Sequence, residues 1–309
     1  MGLNLHHLRL FAAVVDQGGF TRAGRALRLS QPAISKSITE LEREIGLSLL
    51  DRSAKTVRLT EAGRALHTRA REIFGIEKAA EQELRELRGM ERGILRVGAS
   101  TTIATYFLPR ILGRFHEAHP KIEIRSASAN TRQIAKMLLE WRIDVALVEG
   151  PVSNQRLAVI PWQSDELVVI AHPGHRLLHA RSTPSVHDLV NETFIMRERG
   201  SGTREVAERA LADRGVKVGR TMRVGGTEVI KQAVAAGLGI AIVARAAAAD
   251  QLALDRIAVV PVDGLTIHRQ LSRLRLRGRP PTSSGRAFEA LLDAALDDVG
   301  IPDASGDPG

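Results

Sequence analysis

The stretch from Gly18 to Ile45 constrains the fold more than any other, because its pattern predicts two short helices joined by a tight turn. Ser30 is a good N-cap for the second helix, and Pro32 follows at a position where a helix tolerates proline. Apolar and small side chains recur with helical spacing on both sides of the turn. They are Phe20, Ala23, Ala26 and Leu27 before it, and Ile34, Ile38, Leu41 and Ile45 after it. Each helix therefore has one face to bury.

The second predicted helix keeps a polar, mildly basic face that carries no carboxylate before Glu40. This face comprises Gln31, Ser35 and Thr39, with Pro32, Lys36 and Arg43 beside them. Amide and hydroxyl groups can contact base edges in the major groove of DNA, and lysine can contact phosphate. We therefore interpret residues 31–44 as the recognition helix of a helix-turn-helix. The alternative is an ordinary helical hairpin whose polar face is only solvated.

Residues 50–60 alternate in polarity and predict a small two-stranded wing after the recognition helix. The wing carries the basic residues Arg52, Lys55 and Arg58, which can reach a phosphate backbone or a minor groove. A solvated loop is the alternative, but the adjacent two-helix unit favours contact with DNA. The predicted DNA-binding domain therefore covers residues 1–60.

A long amphipathic helix is predicted from Glu61 to about Leu87, in a linker segment that covers residues 61–92. Its apolar side chains recur every seven residues, at Leu66, Ile73, Ala80 and Leu87. Such a repeat with charged flanks is typical of a coiled-coil-like dimer helix. The length, about 40 Å at about 1.5 Å per residue, favours this interpretation over a helix that packs only on its own domain. A dimer would present two recognition helices to two half-sites.

From residue 93 onwards, short apolar runs alternate with helical patterns, which predicts an α/β domain with βαβ units and a mostly parallel sheet. Two lobes are expected, lobe I at about 93–163 and 268–298 and lobe II at about 164–267, followed by a disordered tail at 299–309. The predicted strands are 94–100, 122–128, 144–150, 157–162, 166–172, 193–200, 222–224, 240–244, 257–262 and 269–278. Two strands that cross between the lobes would place a cleft at the seam.

The chain resembles the LysR-type transcriptional regulators over nearly its whole length, and residues 5–63 follow that family's pattern almost without gaps. The resemblance implies a winged helix-turn-helix, a linker helix that dimerises, and a C-terminal effector domain shaped like a periplasmic binding protein. It also implies that dimers often assemble further into tetramers. The family's DNA-contacting positions match Ser30, Gln31, Pro32, Ser35, Lys36, Thr39 and Arg52.

The same resemblance implies an effector cleft between the lobes. Its residues in the first lobe would be Ser100, Thr101, Thr102 and Thr131, and those in the second Arg199, Ser201, Thr203, Arg204 and Thr227. The segments GSGTRE and GGTEVIKQAVAAGLGIA are similar to the subgroup that controls carbon fixation and sulfur assimilation. Members of that subgroup sense phosphorylated metabolites or small inorganic anions.

The chemistry of these residues suits an anion without reference to the family. Hydroxyl groups and glycine N–H groups at helix N-termini attract anions, and Arg199 and Arg204 add charge and bidentate donors. Simple N-capping is the alternative for Ser201, Thr203 and Thr227. Arg204 could instead pair with Glu208 one turn along its own helix.

Composition and spacing exclude several other classes of function. The chain has no cysteine, so disulfides, thiolate metal sites and thiol redox sensing are excluded. Gly200-Ser201-Gly202 lacks the glycine spacing of a nucleophile elbow, and Gly237-Leu238-Gly239 lacks the third glycine of a dinucleotide motif. The histidines of 172–179 are interpreted as part of a turn. We therefore expect no enzyme activity, no cofactor and no metal.

The sequence predicts a cytoplasmic regulator, because it shows no signal peptide and no apolar run long enough to span a membrane. Its net charge of +9 suits a polyanionic partner without proving one. The expected partners are double-stranded DNA with an interrupted inverted repeat, further copies of the chain in a dimer or tetramer, RNA polymerase and a small anionic effector. A plain solute-binding protein and a DNA-compaction factor are the rivals; the latter would bind any duplex with similar affinity.

Overall fold

The computed structural model describes residues 2–51, 57–87 and 93–298. The chain divides into two compact units, Met1–Arg85 and Glu86–Gly309, which are treated separately. The predicted DNA contacts Arg52 and Lys55 lie outside the described residues, as do the predicted tail at 299–309 and most of the predicted boundary at 89–93.

The first unit is a helix-turn-helix with a short wing, as predicted. Its elements are α1 (Leu5–Asp16), α2 (Phe20–Leu27), α3 (Gln31–Ile45), β1 (Leu50–Asp51), β2 (Arg58–Leu59) and α4 (Glu61–Leu87). Arg28 ends α2 in the left-handed conformation at φ +58°, and the Ser30 hydroxyl accepts the Ala33 N–H to cap α3. The strands β1 and β2 pair antiparallel, which gives the predicted wing its base.

The core of this unit lies between the three short helices. It contains Leu8, Leu10, Phe11, Val14, Ala23, Ile34, Ile38 and Leu41. The prediction that Ala26 is buried is wrong, because α2 instead buries its face around Ala23 and Gly24. Leu5, also expected inside, is 50% exposed because the buried stripe of α1 begins one turn later at Leu8.

The helix α4 has the predicted length, but its apolar face has two different environments. Its first half joins the core of its own unit through Leu66, Ala70, Ile73 and Phe74. The Arg9 guanidinium stacks 4.3 Å from the Phe74 ring and pairs with Glu77 at 2.7 Å, which fixes α4 to α1. Further along, Ile76 and Leu84 are 59% and 62% exposed. The own-domain alternative is therefore correct for the first half only.

The wing is joined to α3 through a buried carboxylate. Glu42 Oε1 accepts the backbone N–H groups of Leu49 and Leu50 at 2.7 and 3.2 Å. Buried N–H groups without an acceptor are costly, so this side chain determines where β1 starts.

We predict that Glu42→Ala lowers the free energy of unfolding by about 2–3 kcal/mol, since two buried N–H groups lose their acceptor. The measurement is urea unfolding of the full chain. Glu44→Ala removes an exposed carboxylate from the same helix and should change stability by less than about 0.5 kcal/mol. Equal effects of the two variants would contradict this role of Glu42.

The second unit has an α/β fold, as predicted. Its helices are α5 (Thr101–Tyr106), α6 (Leu108–Ala118), α7 (Thr131–Leu139), α8 (Gly202–Ala212), α9 (Thr227–Ala235), α10 (Arg245–Ala253) and α11 (Ser283–Asp298). Its strands are β3 (Ile94–Ser100), β4 (Glu123–Ala129), β5 (Val145–Glu149), β6 (Leu157–Ala171), β7 (Thr193–Met196), β8 (Arg220–Arg223), β9 (Ala241–Ala244), β10 (Ala258–Val259) and β11 (Ile267–Leu276). No helix in the described part of the chain is long and apolar enough to cross a membrane.

The sheets are mixed rather than mostly parallel. One sheet has the order β10-β6-β11-β5-β3-β4 with β9 also on β6, and β7 and β8 form a second, parallel pair. The strands β3, β4 and β5 are parallel, whereas β6 is antiparallel to each of its neighbours. Two strands were predicted at 157–162 and 166–172, but β6 is continuous, because the polar residues 163–165 lie within it. The helices α5 and α10 were missed because α5 is short and α10 is rich in alanine.

The strands β6 and β11 pair antiparallel over ten positions and run through both lobes. Lobe I forms around β3, β4 and β5, and lobe II around β7, β8 and β9. The buried residues of lobe I include Leu95, Val97, Phe115 and Phe288, and those of lobe II include Phe194, Leu211 and Ile240. The predicted crossing of two strands between the lobes is therefore present.

Backbone groups of the two lobes meet where β5 ends and α8 begins. A Cβ added at Gly202 would lie 1.8 Å from the Glu149 carbonyl oxygen, and one at Gly150 would lie 2.7 Å from the Gly202 Cα. Only glycine allows this approach, because the opposing atoms are backbone and cannot rotate away.

We predict that Gly202→Ala forces the lobes apart locally and lowers stability by about 1–3 kcal/mol, the usual cost of overpacking. The measurement is the thermal unfolding of the full chain. Gly113→Ala is the matched control, because an added Cβ in the middle of α6 meets nothing within 4 Å. If both variants melted at the same temperature, the close contact at Gly202 would be wrong.

Candidate DNA-contact helix and effector cleft

The polar strip of α3 is presented to solvent as the sequence predicts. Ser30, Gln31, Pro32, Lys36 and Thr39 are exposed and Ser35 is half-buried, while Ile34, Ile38 and Leu41 are buried beneath them. The Thr39 hydroxyl donates to the Ser35 carbonyl at 3.1 Å, whereas Gln31 and Lys36 have no side-chain contact to another described residue.

The carboxylates at the C-terminal part of α3 lie near His7 of α1. Glu40 Oε2 is 3.5 Å from His7 Nε2, and Glu44 Oε1 is 4.0 Å from His7 Nδ1. The first two turns of α3 therefore carry only amide, hydroxyl and cationic groups on their exposed strip. Such a surface can accept a phosphate backbone and donate to base edges.

The second unit brings four helix N-termini to one region. The helices α5, α7, α8 and α9 each follow a parallel strand, respectively β3, β4, β7 and β8, so their starts lie at carboxyl ends of strands. Six of the predicted effector residues there are at least nine-tenths buried: Ser100, Thr102, Thr131, Ser201, Thr203 and Thr227. Thr101 is half-buried.

Arg197 links the N-termini of α5 and α9, and sequence reasoning missed it. The side chain is 4% exposed, and its guanidinium donates to Thr227 Oγ1 at 3.2 Å and to Thr101 Oγ1 at 3.4 Å. It also donates to Glu198 at 2.9 Å. Burial raises the pKa of Glu198, but the bonds from Arg197 outweigh it and hold that pKa below its ordinary value. The cation therefore lies in the cleft with a partly exposed counter-charge.

The two arginines predicted for the cleft have other surroundings. Arg199 is exposed, and Arg204 pairs with Glu208 at 2.9 Å, which is the alternative considered for it. Arg204 also donates to the Arg197 carbonyl at 3.1 Å and so supports the backbone there. The signal that could have identified Arg197 is its position as the first residue after β7.

Glu149, the last residue of β5, is the second cleft residue that sequence reasoning missed. It is 1% exposed, and its carboxylate accepts hydrogen bonds from the Ser100 hydroxyl and, at 3.3 Å, from the Thr203 hydroxyl. Arg269 Nη1 lies 3.7 Å from it and donates to Thr203 at 2.7 Å. Burial raises the pKa of Glu149, and the charges of Arg269 and Arg197 oppose that rise only in part.

The remaining hydroxyls differ in what they contact. The Thr131 hydroxyl donates to the Glu149 carbonyl at 2.9 Å, and the Ser201 hydroxyl caps α8. Thr102 is 1% exposed, and its hydroxyl has no hydrogen-bond partner among the described residues. A buried hydroxyl of this kind is unusual and indicates a missing partner.

A groove of about 540 Å³ lies beside this region, between α7 and the start of α8. Its lining includes Thr131, Arg132, Lys136, Asn154, Gly200 and Glu205. The described residues contain no group of three histidine or acidic side chains placed to hold a metal ion. The histidines of 172–179 form a turn, in which His172 Nδ1 accepts the Gly174 N–H at 3.0 Å.

Comparison with known proteins gives the family. A match to "Bacterial regulatory helix-turn-helix protein, lysR family" covers residues 5–64, and one to "LysR substrate binding domain" covers residues 88–297. The RuBisCO operon transcriptional regulator of Allochromatium vinosum is 37% identical over 292 residues, which cover 94% of this chain and 96% of that protein.

Two solved structures are informative. The regulatory domain of Synechocystis PCC6803 CcmR in complex with 2-PG has a TM-score of 0.62 and 31% identity, and the match covers 67% of this chain and 99% of that one. Full-length CbnR complexed with its target DNA has a TM-score of 0.67 at 22% identity, covering 94% and 99%, and shows the shared fold. The similarity to carbon-fixation regulators confirms the subgroup indicated by the sequence, and these relatives are regulators rather than enzymes. The chain belongs to the LysR family of DNA-binding transcriptional regulators.

Proposed function

We propose that α3 reads an operator in the major groove and that a small anion, bound between the lobes of the second unit, sets the regulatory response. The observation that carries the effector part is Arg197, a buried cation that contacts Thr101 at the start of α5 and Thr227 at the start of α9. Cationic and N–H donors that converge at helix N-termini are the usual components of an anion site.

The free hydroxyl of Thr102 supports this proposal. It belongs to the first turn of α5, next to the Thr101 group that Arg197 contacts. An anion at this place would satisfy that hydroxyl together with backbone N–H groups of the first turn of α5. The CcmR regulatory domain, which is solved in complex with 2-PG, supports a small ligand for this type of domain.

The exposed second half of α4 supports a homodimer. Ile76 and Leu84 present apolar surface that a second copy of the helix would bury. Two recognition helices would then bind an interrupted inverted repeat, and dimers could pair further into a tetramer. A regulator of this kind acts in the cytoplasm, where it affects recruitment of RNA polymerase. The structure of CbnR with its target DNA is consistent with this arrangement.

We predict that Lys36→Ala weakens operator binding, because an exposed phosphate contact is lost. The dependence of log K on log salt should become shallower by about one unit. Fluorescence anisotropy with an operator found by genome-wide footprinting measures both quantities. Lys217→Ala, an exposed lysine of the second unit, should leave both unchanged. Unaltered operator affinity in Lys36→Ala would rule out this contact.

We predict that Arg197→Ala abolishes the response to effector and leaves basal operator binding intact, since it removes the cation of the cleft. The measurement is the change in footprint on adding 2-PG or sulfate, with calorimetry of the same ligands. Arg209→Ala, on the exposed side of α8, is the control. Arg199→Ala separates the two assignments: loss of response there, with a normal response in Arg197→Ala, would contradict the proposed site.

A further inference from the structure

The cleft contains a buried carboxylate at a place where an anion is expected to bind, and this limits which anions fit. Glu149 is tied to two of the hydroxyl residues that the sequence assigns to the effector, Ser100 and Thr203. An ionised carboxylate beside a second anion is repelled unless a hydrogen lies between them.

A count of hydroxyl hydrogens shows how the cleft is divided. A hydroxyl has one hydrogen to donate. Ser100 and Thr203 donate theirs to Glu149, and Thr131 donates to the Glu149 carbonyl. The Thr203 oxygen also accepts from Arg269. None of these three hydroxyls can therefore donate to an anion while Glu149 accepts from them.

The donors that remain lie on the other side of the cleft. They are the Arg197 guanidinium, the hydroxyl of Thr102 and the backbone N–H groups that start α5 and α9. The cleft thus has a donor half around Arg197 and an acceptor half around Glu149. The two halves are close, because the charge of Arg197 lowers the pKa of Glu149 against the effect of burial.

We infer that Glu149 selects the effector: the ligand is a small anion that also carries a hydroxyl or amine hydrogen, and not a bare inorganic anion. The anionic group lies on Arg197 and Thr102, and the hydroxyl or amine donates to the Glu149 carboxylate. This inference rests on the proposed function, in which an anion binds between the lobes. A bare sulfate or phosphate ion would leave Glu149 facing a like charge.

The same carboxylate could serve only to hold the fold. Arg269 lies between Glu149 and Asp165, and a buried ion cluster of this kind can have a purely structural role. A structural role would change stability but would leave the ranking of ligands unaltered. The two roles are therefore separated by ligand selectivity and not by melting temperature.

The test is calorimetry on the full-length protein with matched probes, 2-hydroxyethyl phosphate against ethyl phosphate and glycolate against acetate, with inorganic sulfate as the bare anion. The wild-type protein should bind the hydroxylated member of each pair at least tenfold more tightly. Glu149→Gln keeps the side-chain volume and frees a donor for an anion. It should lose this preference and bind sulfate at least tenfold more tightly than the wild type.

Glu123→Gln removes the same charge from an exposed position on β4 and should behave like the wild type. If Glu149→Gln fails to fold, the wild-type probe pairs decide alone. Equal wild-type affinity within each pair, with both ligands lost in Arg197→Ala, overturns the inference and leaves the proposed function intact. Binding of no probe by either protein, together with a normal effector response in Arg197→Ala, overturns both.

Lower pH gives a second readout. Ser100, Thr203, Arg269 and Arg197 face Glu149 from β3, α8, β11 and the end of β7. Protonation would turn the Glu149 carboxyl into a donor, so sulfate binding by the wild type should strengthen as pH falls towards 6. Glu149→Gln should show no such gain, and a pH dependence equal in the two proteins would contradict the inference.

Discussion

The pair of Asp165 on β6 and Arg269 on β11 lies in register where these two long strands run side by side through both lobes. Arg269 Nε donates to Asp165 Oδ2 at 2.7 Å, and both side chains are buried. Burial raises the pKa of Asp165, although Arg269 opposes this. Desolvation offsets much of the Coulomb energy of such a pair, so it contributes more to position than to net stability. It fixes the guanidinium that supports Thr203 and Glu149.

The cleft therefore has a nearly balanced set of charges. Arg197 is paired with Glu198, and Arg269 with Asp165 and Glu149. A ligand cannot bind by charge alone, because an added anion disturbs carboxylates that are already satisfied. Directional hydrogen bonds decide the binding, and the buried hydroxyls fix their direction. This is the physical reason why sequence patterns that indicate "anion" describe the site only in part.

The helix-turn-helix could be predicted in detail because its pattern is local. Ser30, Pro32 and the stripe of Ile34, Ile38 and Leu41 lie within a dozen residues of one another. The seven-residue repeat of α4 was equally clear, yet the sequence does not show that its first half is covered by α1. A stripe of leucine and isoleucine predicts that a face is buried but not which partner buries it.

The cleft residues were predicted where they begin helices and missed where they end strands or pair across the sheet. Ser100, Thr131 and Thr227 stand at recognisable helix starts. Glu149 and Arg269 are 120 residues apart in the chain and meet only through the pairing of β5 with β11. Arg197 rather than Arg199 enters the cleft because the end of β7 determines which arginine of the run points inward. Strand ends and pairing are three-dimensional properties that composition and periodicity do not contain.

The side chains that join the lobes are also those that a ligand would contact. Arg197 bonds Thr101 of lobe I and Thr227 of lobe II, and Tyr106 of α5 bonds Glu228 of α9. A ligand changes the arrangement of the lobes only if it binds one arrangement better than another. Moving such an equilibrium from 1:99 to 99:1 takes about 5.5 kcal/mol, whereas one hydrogen bond contributes about 0.5–1.5 kcal/mol. No single contact suffices, so donors and acceptors on both sides of the cleft must engage the ligand together, which requires a ligand that has both kinds of group.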